Sequence, residues 1–234
     1  MDCIVKGIDL SHYDKAKEKK YNKKYDGKDY CLQMERKKDD YTPLKLDDHI
    51  RLDGHDYTLP CKVSELLANG LTIEDDELTA DSVIQPEKFG FKSFWMKNAD
   101  GTDASIYVSS DNDKALPLRD CYVEQINIYR NTHSFDLHAD EKEDVMFPYT
   151  YQGITMQSTV EDVYKALGEP QKIDFITDHT VMLTFKEYAG NADSDLYLPL
   201  KKGEIEIEFN NSSEDVTLKL SEISIEYDKE PTYW

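Results

Sequence analysis

The side chains able to do chemistry in this sequence are carboxylates, six imidazoles and four thiols. His133, Asp136, His138 and Asp140 fall close together, and imidazole with carboxylate is a ligand set for zinc or another divalent ion. They lie between structured segments, where nothing fixes ligand geometry, so they read as solvated linker. Asn98, Asp100, Gly101 and Asp103 resemble part of a calcium loop. With Gly101 in the glycine place, however, Met96 falls where the first ligand belongs and Tyr107 where the closing glutamate belongs. Hairpin-turn chemistry explains these residues instead. Cys61 or Cys121 with His55 or His179 would supply a nucleophile and a base. No G-x-S-x-G elbow and no glycine-rich phosphate cradle accompanies them. No catalytic residue, metal or other cofactor is expected.

Charge sets the next bound. Of 234 residues, 28 are Lys or Arg and 48 are Asp or Glu, a formal net charge of -20. The charge is uneven: residues 1–40 carry 11 basic and 9 acidic side chains, so the remainder is strongly anionic. Such a field repels nucleic acid and steers basic partners. There is no apolar run long enough for a transmembrane helix. The cysteines Cys3, Cys31, Cys61 and Cys121 form no C-x-x-C pair, which argues against a zinc site. A disulfide between Cys61 and Cys121 is the preferred pairing, with buried thiols as its alternative. The first residues lack the apolar stretch of a leader. Asp2 before Cys3 weighs against a lipidated cysteine. The expected location is extracytoplasmic, at the cell surface or secreted, with a leader absent from this chain; the cytoplasm is the alternative.

These groups must be positioned by elements, and the pattern divides the chain into three. Residues 1–40 are rich in charge and tyrosine and poor in aliphatic side chains, which predicts a flexible arm. Residues 136–234 carry the clearest signals. Ser158 and Glu161 read as a capping box, followed by Val160, Val163, Tyr164 and Leu167 at helical spacing and by Gly168 and Pro170 as stops. Residues 180–188, 203–211 and 220–228 then alternate apolar and polar, as antiparallel strands with one wet face do. Residues 41–135 carry a weaker version. A helix with Pro60 near its start ends at Gly70, two strands meet at Asp100-Gly101, and residues 121–129 alternate. The predicted fold class is α+β: two tandem repeats, each a short helical layer packed on a three- to four-stranded antiparallel sheet.

Gly153, Thr155, Glu161, Asp162, Val163, Leu167, Gly168 and Pro170 form a pattern, G-x-T followed by E-D-V-x-x-x-L-G-x-P. It resembles the opening of SmpA/OmlA-type small envelope lipoproteins and of β-lactamase-inhibitor-protein-like (BLIP-like) repeats. The resemblance covers residues 145–228 well and 50–130 loosely. It implies helices behind a curved sheet, and a protein that binds other proteins or supports envelope complexes without chemistry.

On this reading the candidate binding residues are sheet-face side chains. Trp95, Tyr107, Gln125 and Tyr129 face out of the first repeat, and Glu204, Glu206 and Glu208 out of the second. Exposed aromatics are common anchors of protein recognition. The expected function is a non-catalytic protein-binding module of the bacterial envelope or exterior, taking a protein or peptide of basic character. The alternatives are a small hydrolase with its site between the repeats and a self-assembling envelope protein.

Overall fold

The computed structural model describes residues 44–86, 92–109, 114–130, 146–176, 180–189, 200–210 and 218–232. The arm expected over 1–40, the His133, Asp136, His138 and Asp140 cluster, and His179 lie outside the described residues.

A tight hairpin joins β1 (His49–Leu52) to β2 (His55–Thr58). Its turn residues, Asp53 and Gly54, both hold positive φ, which matches the twist of the flanking strands. His55 begins β2. Beyond the cis Leu59–Pro60 bond, β3 (Cys61–Lys62) runs straight into α1 (Val63–Ala68). The proline therefore precedes a strand rather than opening the helix.

The long alternating segments become β6 (Lys92–Lys97), β7 (Asp103–Ser109), β9 (Tyr122–Tyr129), β12 (Thr180–Ala189), β13 (Leu200–Asn210) and β14 (Lys219–Thr232). With β4 (Thr72–Glu74) and β11 (Lys172–Phe175) they form one antiparallel sheet of order β11-β12-β13-β14-β9-β7-β6-β4, and β3 adds onto β9. The β14–β9 ladder pairs Ile225 with Ile126 and Ser224 with Asn127. One sheet thus runs through both long segments of the chain.

Alternate apolar side chains of the central strands are buried on one face of this sheet, and on the other face Ser105, Asn127, Thr184, Glu204 and Ser224 are buried as well. Ile106, Ile126, Ile225, Ile205 and Phe185 lie across the sheet in register and belong to a single core. The core is closed by a small sheet of β10 (Tyr149–Thr150), β1 and β2, by the loop after β10, by α1, and by α2 (Val160–Leu167). Arg130 ties the loop down, donating from Nε to the Leu220 carbonyl at 2.8 Å and from Nη2 to the Met156 carbonyl at 2.5 Å. The edges carry smaller pieces, β5 (Val83–Ile84) paired with β8 (Leu116–Pro117), and a 3-10 turn, Leu118–Asp120.

The α+β expectation, helical layers in two repeats, is corrected by this architecture. The described chain is mostly β, 55% strand against 12% helical, with two helices and large antiparallel sheets. The reason is length. The eight residues of α2 span about 12 Å, whereas the 14 residues of β14 span roughly 46 Å. Helices this short fill corners of the core, and strands and loops do the rest.

The helix start also moves by one residue. Thr159, not Ser158, is the N-cap of α2. Its Oγ1 accepts from the Asp162 amide at 3.2 Å, and Asp162 accepts from the Thr159 amide at 2.9 Å. Ser158 instead accepts from the Thr155 amide at 3.0 Å. The Ser-Thr and Glu-Asp neighbours offer the same chemistry in two registers, and burial of Val160 and Val163 selects the later one.

The expected disulfide is corrected too, because Cys61 and Cys121 are both free and buried. Cys61 stands opposite Val123 across the β3–β9 ladder, so Cys121 is diagonal to it. Diagonal partners lie about 7–8 Å apart, beyond the usual reach of a disulfide. The Cys121 thiol points to the Pro117 carbonyl, 3.5 Å away.

Candidate binding face

The sheet face turned away from the core carries every candidate residue. Phe94 and Met96 are buried, which leaves Trp95 outward and 43% exposed. Strand register then fixes the neighbours. Tyr107, Gln125, Glu226, Glu204 and Lys186 make one row across β7, β9, β14, β13 and β12. Ser105, Asn127, Ser224, Glu206 and Thr184 make the next. Tyr129, Glu222, Glu208 and Met182 follow. Two groups that the sequence assigns to separate surfaces, Trp95, Tyr107, Gln125 and Tyr129 against Glu204, Glu206 and Glu208, therefore share one face. The strand joining them is β14, through Glu222, Ser224 and Glu226.

The β9 side of the face is built from neutral groups. Gln125 donates from Nε2 to Asn127 Oδ1 and to Ser224 Oγ, each at 3.0 Å. Asn127 donates from Nδ2 to the Tyr129 hydroxyl at 3.2 Å. The Trp95 and Tyr129 rings lie 5.8 Å apart, tilted by 48°.

The β13 side is ionic and uneven. Lys186 pairs with Glu204 at 3.0 Å. Lys201 is almost wholly buried and pairs with Glu226, with Glu204 at 3.5 Å and with Asp228 at 4.0 Å. Two residues further along β13 the cations stand further off: Lys186 and Lys172 act on Glu206 across the sheet without forming an ion pair with it. Glu208 accepts from Asn210 Nδ2 and Ser221 Oγ, each at 2.9 Å. Glu222 stands directly across from Tyr129 on β9. Among the described residues, no ion pair reaches Glu206, Glu208 or Glu222. Burial, and then the Glu208 carboxylate beside it, push the Glu222 carboxyl up to about 7. Burial, followed by Glu204, raises Glu206 in the same direction.

Other reactive groups are already engaged. Burial lifts the Cys61 thiol to about 12 and the Cys121 thiol to about 11, so neither supplies a thiolate near neutral pH. Asn98 Oδ1 accepts from the amides of Asp100 and Thr102, at 3.1 and 3.0 Å, and so shapes the β6–β7 turn. Asp47, Asp48 and His49 bring three donor atoms together at the surface, where the two carboxylates pair with the imidazole itself. An open depression of about 440 Å³ beside α2 is lined by Gln152, Thr155, Ser158, Asp162 and Lys165. Its carboxylate, Asp162, is already engaged by Thr159 in the capping box of α2.

Glu222, Ser224 and Glu226 were not singled out as a site from sequence. Their outward parity is legible in Leu-Ser-Glu-Ile-Ser-Ile-Glu-Tyr; the neighbour on each side of β14 is not.

No protein-family model matches the chain, nor does any curated protein or any solved structure. The likeness to SmpA/OmlA-type and BLIP-like repeats rests on the sequence motif alone.

Proposed function

We propose that the chain is a non-catalytic protein-binding module whose polar sheet face receives a basic, extended peptide segment. The observation that carries this reading is the trio of Glu206, Glu208 and Glu222. Half-buried carboxylates with no cation at ion-pair distance among the described residues are electrostatically unfavourable, and an incoming lysine or arginine relieves them. The ligand class follows from spacing. Among the described residues, only Asp47, Asp48 and His49 gather their donor atoms within 4.8 Å. The three glutamates are spread over neighbouring strands, a geometry for several cationic side chains on one backbone rather than for a single ion. The aromatic and amide groups of β6, β7 and β9 adjoin them and supply apolar area and hydrogen-bonding capacity.

The test is fluorescence anisotropy with a labelled peptide of alternating lysine and serine. It should bind, weaken as salt rises, and lose about tenfold or more in affinity on the E206Q/E208Q/E222Q variant. An alternating glutamate–serine peptide should not bind. Absence of binding, or binding indifferent to both salt and the triple substitution, would falsify the reading.

A further inference from the structure

The two sides of the face meet at one place, and that place has its own chemistry. Trp95 is the exposed member of an aromatic pair, and its partner Tyr129 stands directly across from Glu222 in the β9–β14 ladder. An indole face, a phenol and a carboxylate without a cation thus stand in sequence from β6 to β14. Lys97, two residues from Trp95, pairs with Glu74 on β4. Among the described residues, no cation lies over the Trp95 or Tyr129 ring.

We infer that Trp95, Tyr129 and Glu222 form an anchor for an arginine side chain of the bound segment, rings against the guanidinium plane and carboxylate toward its N–H groups. The inference rests on the basic-segment reading above and names the side chain that fits best. Arginine is selected over lysine by shape and hydration. A guanidinium is planar, stacks on aromatic faces and is weakly hydrated, so it enters a half-buried site at lower cost than an ammonium. Its fork of donors also suits the two oxygens of a carboxylate. An aliphatic side chain is selected against, because it would strip water from Glu222 without replacing it. The indole stands between Ser105 on β7 and Glu74 on β4, and 43% of its surface is exposed.

The experiment uses the full chain and two peptides of equal length and charge, arginine–serine and lysine–serine. Each is titrated against the unmodified protein and against Trp95→Ala and Trp95→Phe. The arginine peptide should bind about fivefold or more tightly than the lysine peptide. Trp95→Ala should erase that preference by weakening the arginine peptide several-fold more than the lysine peptide, and Trp95→Phe should keep part of it. Equal affinity for the two peptides, or a preference that survives Trp95→Ala, overturns the anchor and leaves the basic-segment reading standing. Failure of both peptides to bind overturns that reading, and the anchor falls with it. Unchanged thermal melting of the two variants shows that any loss is local.

Discussion

Glu204 and Glu222 are the same residue type on the same sheet face, one strand apart, and they meet opposite fates. Glu204 is buried to 7% exposure, yet Lys186 and Lys201 hold it from two sides. Glu222 is less buried and has Glu208 across from it on β13 and Tyr129 on β9. Both belong to alternating strands, so pattern does not separate them. Register does: the row of Glu204 ends on a lysine, and the row of Glu222 runs through a glutamate to Met182. One end of the acidic strip is closed by its own cations. The other end is left open, and the proposed ligand closes it.

Removing the closing cation is the strongest way to break this comparison. In Lys201→Met, the carboxylates of Glu204, Glu226 and Asp228 lose a shared partner in a buried setting. Breaking one side of a buried ion pair costs about 3–5 kcal/mol, and urea unfolding should show a loss of that order. Adding Glu226→Gln should recover part of it, since less charge is then stranded. A variant as stable as the parent would show that the two ends differ in appearance only.

The open end predicts the opposite sign. The Glu222 carboxyl is raised from 4.5 to about 7 by folding. The folded state therefore holds its proton more tightly than the unfolded state does. This contribution is complete below about pH 4.5 and is lost as pH rises through 7. Glu222→Gln removes the lost portion, so it should stabilise the protein at pH 8 and have little effect at pH 4. Allowing for solvent screening of a half-exposed group, the gain is on the order of 1–2 kcal/mol. Thermal melts of both proteins across that range measure it. A pH-independent difference would remove the electrostatic account of the open end.

How much of this was legible depends on whether the signal was local. Period-2 alternation at Ile205, Ile207 and Phe209 is local and placed β13 correctly. The Asp100-Gly101 turn, with Gly101 at a φ of 83°, likewise placed β6 and β7. Outward parity put Tyr107, Gln125, Tyr129 and the three glutamates on a polar surface. Strand order is not local: nothing in residues 122–129 says that residues 219–232 lie beside them, so the aromatic and acidic groups looked like two surfaces. The helix signals at Thr159–Gly168 were real but overweighted, because capping and stop residues report where a helix ends and not how much core it covers. The edge strand β4, Thr72–Glu74, left no signal, because three residues are too few to show a period.

The smallest expected effect sharpens the comparison by separating folding from recognition. Trp95 presents 43% of its surface to solvent, and its ring contact with Tyr129 is tilted rather than stacked flat. Phe94 and Met96 on either side bury the strand. Trp95→Ala should therefore change unfolding free energy by no more than about 0.5–1 kcal/mol, the scale of surface substitutions and single aromatic contacts. The Lys201 substitution acts on an ion network that the fold has already satisfied. The Trp95 substitution acts on a ring that the fold leaves partly exposed. A large destabilisation by Trp95→Ala would make the indole a structural prop, and the β9 side of the face would then differ from the β13 side in composition alone.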